Sequence, residues 1–129
     1  ELTEAVGAVV KDPIMILLAV NLFLIVAGAI MDDVSVTVVV APLFLPLMIE
    51  TGVNPVHYAS IVACSVVIGA NSPPVAPILF MACKIGKVSI HKAVMPALML
   101  MGLVGLPVML VTTFVPELSL FLPRLLGFV

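Results

Sequence analysis

Long runs of residues without a single charge constrain this chain more than any other feature. Residues 13–31, 34–49, 55–70 and 93–115 contain no Asp, Glu, Lys or Arg. Only 9% of the 129 residues are charged, whereas a soluble domain has roughly 25%. So few charged side chains cannot keep the surface of a soluble globule in water. The sequence therefore predicts an all-α integral membrane protein, because apolar runs of this kind enter a bilayer as helices.

Charge and cysteine content argue against several other classes of protein. With a formal net charge of −2, the chain lacks the basic surface that binds nucleic acid. Its two cysteines, Cys64 and Cys83, lie in apolar runs and form neither a disulfide framework nor a metal-ligand pattern. The first dozen residues carry acids rather than the basic start of a signal peptide. Because the chain begins at Glu1, we expect a fragment of a longer protein.

The lengths of the uncharged runs indicate how they enter the membrane. A straight spanning helix needs about 20 residues to cross roughly 30 Å of hydrocarbon. Residues 34–49 and 55–70 number sixteen each, which gives about 24 Å, and we expect neither run to cross alone. Short apolar segments interrupted by Gly or Pro are typical of the discontinuous helices and re-entrant hairpins of secondary transporters.

The simplest organisation has one membrane domain with five consecutive parts. They are a connecting segment (1–12), a helical hairpin (13–50), a broken transmembrane helix (54–86), a spanning helix (93–116) and an interfacial C-terminal tail (117–129). In the alternative organisation, residues 13–50 form two complete spans joined tightly at Asp32 and Asp33. A loop with Lys84, Lys87, His91 and Lys92 is cytoplasmic by the positive-inside rule.

The acidic pair at the turn of the predicted hairpin is the first candidate for chemistry. At mid-membrane each ionised carboxylate costs roughly 2.5–3.5 kcal/mol on insertion scales. No Lys or Arg occurs between Lys11 and Lys84, so this segment offers no fixed positive partner. A carboxylate held there needs a bound cation, a proton or a basic group from elsewhere. In the alternative, Asp32 and Asp33 lie in a solvated turn between two spans.

The break in the third run is the second candidate. Two consecutive prolines remove two backbone donors and leave carbonyls free upstream, from about Gly69 to Asn71. These carbonyls, the Asn71 amide and the Ser72 hydroxyl supply the hard oxygen atoms that an alkali cation prefers. Gly28 and Gly69 favour a close approach of two backbones, which suits either helix packing or a carbonyl cage. The alternative for the break is a kink whose polar groups neighbouring helices satisfy.

A series of motifs in this order resembles a known family. The series is GAIMD (28–32), APLFLPL (41–47), GVNPVHYASIV (52–62), IGANSPPVAPILF (68–80) and FVPELSLFLP (114–123). It resembles the C-terminal part of the large membrane subunit (DctM/SiaM-like) of TRAP (tripartite ATP-independent periplasmic) transporters, from about Leu18 to the end. The resemblance implies an elevator-type transporter of two inverted repeats, of which this chain is the second, and no enzymatic activity.

The resemblance also implies a function and a set of partners. The family imports organic acids, such as C4-dicarboxylates and sialic acid, across the cytoplasmic membrane of bacteria and archaea. A sodium gradient drives uptake, with a proton as the alternative coupling ion, and no organic cofactor is involved. The implied partners are a periplasmic binding protein, a small four-helix (DctQ-like) membrane subunit and the bilayer, with no nucleic acid. Other possible functions are another elevator-type carboxylate symporter and a membrane scaffold that transports nothing.

The site residues that the resemblance implies lie at the hairpin turn and at the break. Those assigned to the coupling ion are Gly28, Asp32, Gly69, Asn71 and Ser72. Those assigned to the substrate are Ser72, Pro73, Pro74 and Ala76. The chain departs from the family pattern at three positions, with Ser72 where Thr is usual, Ala76 where Gly is usual and Ser65 where Asn is common. The change at residue 76 leaves the identity of the substrate open.

Overall fold

The computed structural model describes residues 12–72 and 76–128, and these residues are helical apart from the connecting turns. The helices are α1 (Pro13–Ile30), α2 (Asp33–Glu50), α3 (Pro55–Asn71), α4 (Pro77–Ile85), α5 (Ile90–Phe114) and α6 (Pro116–Leu125). The predicted all-α class is confirmed for this part of the chain. Helices α1, α2 and α5 are each long and apolar enough to cross a membrane.

Helix α2 is longer than the uncharged run from which it was predicted. It begins at Asp33 and ends at Glu50, so it contains 18 residues. At a rise of 1.5 Å per residue it is about 27 Å long. The polar residues at its ends make the whole helix a candidate span by length and composition, which the sixteen uncharged residues alone are not, and the expectation of a re-entrant hairpin stays a prediction.

Helices α1 and α3 begin with the same local device. The side chain of Asp12 accepts a hydrogen bond from the backbone N–H of Ile14 (3.1 Å). The side chain of Asn54 accepts one from the N–H of Val56 (2.9 Å). In each case a proline follows the capping residue, where its missing N–H costs nothing and its fixed φ suits the first turn. Short polar side chains thus fix both starting points.

Helix α3 lies at the centre of the fold. It packs against α1, α2, α5 and α6. Asn21 of α1 contacts Ser65, and seven residues later Gly28 packs against Gly69. Helices α1 and α3 therefore run in the same direction, and their C-terminal ends lie at the same end of the bundle. Helix α2 runs back along α1, with the rings of Phe23 and Phe44 5.1 Å apart.

Helix α5 runs antiparallel to α3 and is mostly exposed. Gly105 packs near Ile68, and farther along α5 Thr112 lies near Cys64. Only 6% of the apolar window of α5 is buried, against 33% for α1. An apolar helix with so little protein around it has its surface available to lipid or to other protein segments.

Helices α1 and α3 cross closely at Gly28 and Gly69. A Cβ atom added to Gly69 would lie 2.5 Å from the Ile25 carbonyl oxygen and 2.9 Å from the Gly28 Cα. A Cβ added to Gly28 would lie 3.2 Å from the Val66 carbonyl oxygen. A side chain at residue 69 would force the two backbones apart, and the contact at Gly28 is tight, so close helix packing accounts for both glycines.

A buried hydrogen-bond network ties α1, α3 and α5 together. The Asn21 side chain accepts from the Ser65 hydroxyl (2.8 Å) and donates to the Thr113 hydroxyl oxygen (2.9 Å). The Thr113 hydroxyl in turn donates to the Met109 carbonyl (2.8 Å). All three linked side chains are at most 2% exposed. Because hydrocarbon offers no alternative partner, such interhelical bonds specify which helices pair.

His57 extends this network to α6. Its Nε2 atom donates to the Thr113 carbonyl (3.0 Å), and its Nδ1 atom lies 3.3 Å from the Ser119 hydroxyl. The residue is 3% exposed. The C-terminal helix is thereby attached to the central helix α3.

We expect Gly69→Ala to destabilise the bundle by about 1–3 kcal/mol, because the new methyl group would overlap backbone atoms of α1 that have no room to move. Gly102→Ala is the matched control. No atom lies within 4 Å of its added Cβ, and alanine favours a helix, so its stability should be unchanged or higher. Unfolding of both variants in mixed detergent micelles measures the difference. Equal stability of the two would contradict the close crossing.

Candidate functional site

The turn between α1 and α2 is organised by Asp32. Its backbone is extended and its side chain caps α2. One carboxylate oxygen accepts from the backbone N–H of Ser35 (2.9 Å), and the other accepts from the Ser35 hydroxyl (2.6 Å). Each oxygen retains a second lone pair, so the capped carboxylate can still accept a cation. Ser35 was not identified from the sequence, although an acid followed three residues later by a serine is a recognisable capping spacing.

Asp33 lies in the first turn of α2 and has a different environment. Its backbone carbonyl accepts from the Thr37 hydroxyl (2.7 Å), and the residue is exposed. A carboxylate in the first turn interacts favourably with the helix dipole. The two neighbouring acids therefore differ: Asp32 closes the hairpin turn, whereas Asp33 begins the helix.

The end of α3 is closed by its own side chains. The Asn71 amide donates to the Val67 carbonyl (2.8 Å), and the Ser72 hydroxyl donates to the Ile68 carbonyl (2.7 Å). The backbone N–H of Ser72 donates to the Gly69 carbonyl (2.9 Å). The prediction that the Gly69 carbonyl is left free is wrong, because the chain turns tightly enough after Asn71 for Ser72 to reach back.

The start of α4 has an unusual backbone at Ala76. This residue has φ 39° and ψ 54°, in the left-handed region that favours glycine, and it is 3% exposed. An alanine in that region costs roughly 1–2 kcal/mol. It is also the position where the family pattern usually has Gly. Pro73 and Pro74, which the sequence assigns to the substrate, lie outside the described residues.

The crossing of α1 and α3 brings the two candidate regions together. Gly28 lies four residues before Asp32, and Gly69 lies three residues before Ser72. The first turn of α2, Asp33–Ser35, also contacts α3. The hairpin turn and the break of the third helix are therefore neighbours at one end of the α1–α3 pair.

No described group of three His, Cys, Asp or Glu side chains could hold a metal ion. Within residues 12–72 and 76–128, the turn and the break offer carboxylate, hydroxyl, amide and backbone oxygen atoms as ligands. Oxygen ligands of this kind suit hard cations rather than transition metals.

A cavity of about 400 Å³ opens beside the break, between α3, α4 and α5. Asn71 is the polar side chain in its lining, which otherwise includes Ile68, Leu79 and Val104. Met101 also lines it, and its Sδ atom lies 4.0 Å from the Ser72 hydroxyl. Helix α3 thus ends next to a mostly apolar cavity whose lining includes one side-chain amide, that of Asn71.

Two π-helical turns flank this region, and neither was predicted from the sequence. One, Val36–Val40, follows the hairpin turn in α2, and the other, Met101–Gly105, faces the end of α3 from α5. Such turns are often found at functional sites, because the wider helical turn changes the direction in which side chains point. The residues of the two turns, VTVVV and MGLVG, give no distinctive sequence signal for a π-helix.

Comparison with known families decides what kind of protein carries this arrangement. A model described as "Tripartite ATP-independent periplasmic transporter, DctM component" matches residues 1–118. The chain belongs to this family. The resemblance that the ordered motifs indicate is therefore confirmed.

Several curated relatives match almost the whole chain. YgiK of Salmonella typhimurium, an uncharacterized protein, is 40% identical over 96% of this chain and 28% of its own length. The C4-dicarboxylate TRAP transporter large permease protein DctM of Vibrio cholerae is 35% identical over 97% of this chain and 27% of its own length. The isethionate TRAP transporter permease protein DctMQ of Oleidesulfovibrio alaskensis is 34% identical over 93% and 19%. The chain thus spans less than a third of these relatives, and no solved structure matches it.

We expect Ala76→Gly to raise the free energy of unfolding by about 1 kcal/mol, because glycine adopts the left-handed backbone without strain. Ala82→Gly in the same helix is the control. It should lower stability by about 1 kcal/mol, since residue 82 lies within the regular part of α4. Denaturant titration of both variants in micelles checks the opposite signs. A loss of stability in both would show that the backbone at residue 76 is unstrained.

Proposed function

We propose that this chain is the C-terminal repeat of the permease subunit of a sodium-coupled secondary transporter. The transporter imports organic acids across the cytoplasmic membrane. The observation that carries this proposal is the Gly28–Gly69 crossing, which holds the acidic hairpin turn against the end of α3. Membership of the DctM family supports transport as the activity.

The position of α5 supports a re-entrant hairpin rather than two complete spans. Helix α5 has 25 residues, or about 37 Å, which is enough to cross the hydrocarbon. Its twelfth residue, Met101, is the one that lies beside Ser72. If α5 spans the bilayer, the break after α3 is at the middle of the membrane. The hairpin turn at Asp32 then lies at a similar depth, because the Gly28–Gly69 crossing places it beside the break.

We propose that sodium binds between the turn and the break. The Asp32 carboxylate has lone pairs that Ser35 does not use, and the Ser72 hydroxyl oxygen can accept while it donates to Ile68. The Asn71 amide donates through nitrogen and keeps its oxygen for a ligand. Gly28 and Gly69 serve this site by allowing the close crossing. A cation offsets the cost of a carboxylate at this depth, since residues 12–83 contain no Lys or Arg.

The substrate of the proposed transporter is an organic acid, of the C4-dicarboxylate or sialic-acid type. The names of two relatives, which specify isethionate and C4-dicarboxylate, support an acidic substrate. Helix α4 begins at the break, and the positive end of its dipole favours an anion there. We assign Ser72, Pro73, Pro74 and Ala76 to substrate contact. A periplasmic binding protein and a small membrane subunit are the proposed partners.

Asp32→Asn should abolish sodium-driven uptake, with the initial rate falling at least a hundredfold, because the neutral amide no longer compensates a bound cation. Asp33→Asn is the matched control and should retain most of the activity, since Asp33 begins the helix rather than closing the turn. Uptake of a radiolabelled organic acid into proteoliposomes that contain the complete transporter measures both rates. Normal sodium-driven uptake by the Asp32 variant would refute the ion-site assignment.

Ser72→Ala should raise the sodium concentration for half-maximal uptake about tenfold, which corresponds to the loss of one oxygen ligand. Ser72→Thr should leave it nearly unchanged, because the hydroxyl is kept. Ser60→Ala serves as the control, since the Ser60 hydroxyl also bonds the carbonyl four residues earlier (3.3 Å) but lies far along α3 from the break. The sodium dependence of initial uptake rates separates the three variants. The same half-maximal concentration for Ser72→Ala and the wild type would exclude the hydroxyl as a ligand.

A further inference from the structure

The loop between α4 and α5 carries the densest positive charge in the chain. Lys84, Lys87 and Lys92 occur within nine residues, together with the polar His91, and all four side chains are exposed. Residues 51–116 contain no Asp or Glu. Among the described residues, the ion pair found is between Arg124 and Glu117, and none involves this loop. The loop therefore has positive charge that the described chain does not neutralise.

The depth of this loop follows from the same contact that positions the break. Met101 lies beside Ser72, and α5 begins eleven residues earlier, at Ile90. Eleven residues correspond to about 17 Å of helix, slightly more than half of a hydrocarbon core that is roughly 30 Å thick. Helix α4 approaches the same level from the break with nine residues, or about 13 Å. With the break at the middle of the bilayer, as proposed above, both helices bring the loop to the level of the lipid headgroups.

The loop also exposes apolar side chains between its cations. Ile85 is 78% exposed and Val88 is 51% exposed. Between them, Lys87 has a positive φ of 51°, which turns the chain sharply after α4. Apolar side chains next to lysines fit the boundary between acyl chains and headgroups, where the stems of lysines lie in apolar surroundings and their amines reach phosphate.

We propose that this loop, residues 84–92, binds the headgroups of anionic phospholipids such as phosphatidylglycerol. The attraction of a surface lysine to an anionic membrane corresponds to a factor of about five in association. The proposal concerns a surface distinct from the hairpin turn and does not depend on transport or on sodium.

The test measures how much the protein prefers anionic to zwitterionic lipid. The full encoded chain is reconstituted in phosphatidylcholine vesicles, and the association of spin-labelled phosphatidylglycerol is compared with that of spin-labelled phosphatidylcholine by electron paramagnetic resonance. We expect a preference of about fivefold or more that decreases at high salt. In the triple variant Lys84→Gln, Lys87→Gln and Lys92→Gln, the preference should fall towards one.

Two further variants separate charge at this loop from other effects. Arg124→Gln removes an exposed cation from α6 and should leave the lipid preference unchanged. Replacing the three lysines with arginine should keep it. Circular dichroism confirms that each variant retains its helices. Equal association of both lipids with the wild type, or a preference that the glutamine variant retains, would overturn the proposal.

Adding inorganic phosphate tests whether the loop binds lipid headgroups or a soluble phosphate group. Phosphate and chloride are added at equal ionic strength. If the loop binds lipid headgroups, both salts should weaken the preference equally. If phosphate alone removes it at low concentration, the loop binds a soluble phosphate group and the assignment to lipid is wrong.

Discussion

The close crossing of α1 and α3 is the contact on which the rest of the structure depends. At Gly28 and Gly69 the two backbones approach so closely that one extra methyl group would overlap a carbonyl oxygen. Inside a membrane there is little hydrophobic force between helices, so van der Waals packing of this kind has a large share in their association. The same contact places the hairpin turn beside the end of α3. Packing and site geometry are thus determined at one position.

The buried hydrogen-bond network determines which helices pack together. Asn21 receives a hydrogen bond from α3 and gives one to α5, so it specifies both neighbours of α1 at once. Helix α5 has only two buried residues, Met109 and Thr113, and both lie in its second half. The attachment of α5 therefore depends on a few polar atoms and on the small surface around Gly105. Ser65, where the family often has Asn, still supplies the donor that this arrangement needs.

The all-α class could be predicted from the sequence because the membrane leaves a chain few choices. Uncharged runs separated by Asp32, Asn54 and the two prolines place the helices, since every backbone group in hydrocarbon must be bonded within its own segment. The ends of α2 were less predictable, because a charged residue at a helix end looks the same in the sequence as one in a turn. The π-helical turns could not be predicted from the sequence, since their geometry depends on packing rather than on residue type.

The sequence singled out the two regions of the candidate site, whose role stays a prediction, but not the contacts that their side chains make. The positions of Asp32 and Ser72 stood out because acids and prolines are rare in apolar runs. The hydrogen-bond partners of these two residues could not be identified from the sequence. Ser35 and the Ile68 carbonyl reach them only because of how the backbone turns before α2 and after α3. Asn21 is an amide within a charge-free run, a signal that could have led to the network. Its partner Thr113 is 92 residues away, and only the fold brings them together.

That separation has a consequence for how the protein is made. A ribosome adds roughly 5–20 residues per second, so several seconds or more pass between the synthesis of Asn21 and that of Thr113. During this interval α1, α2 and α3 can already associate through the glycine crossing and the bond from Ser65. The Asn21 amide nitrogen still lacks its acceptor on α5 at that stage. The glycine contact can therefore form before α5 is made, and α5 then completes the hydrogen bonding of Asn21.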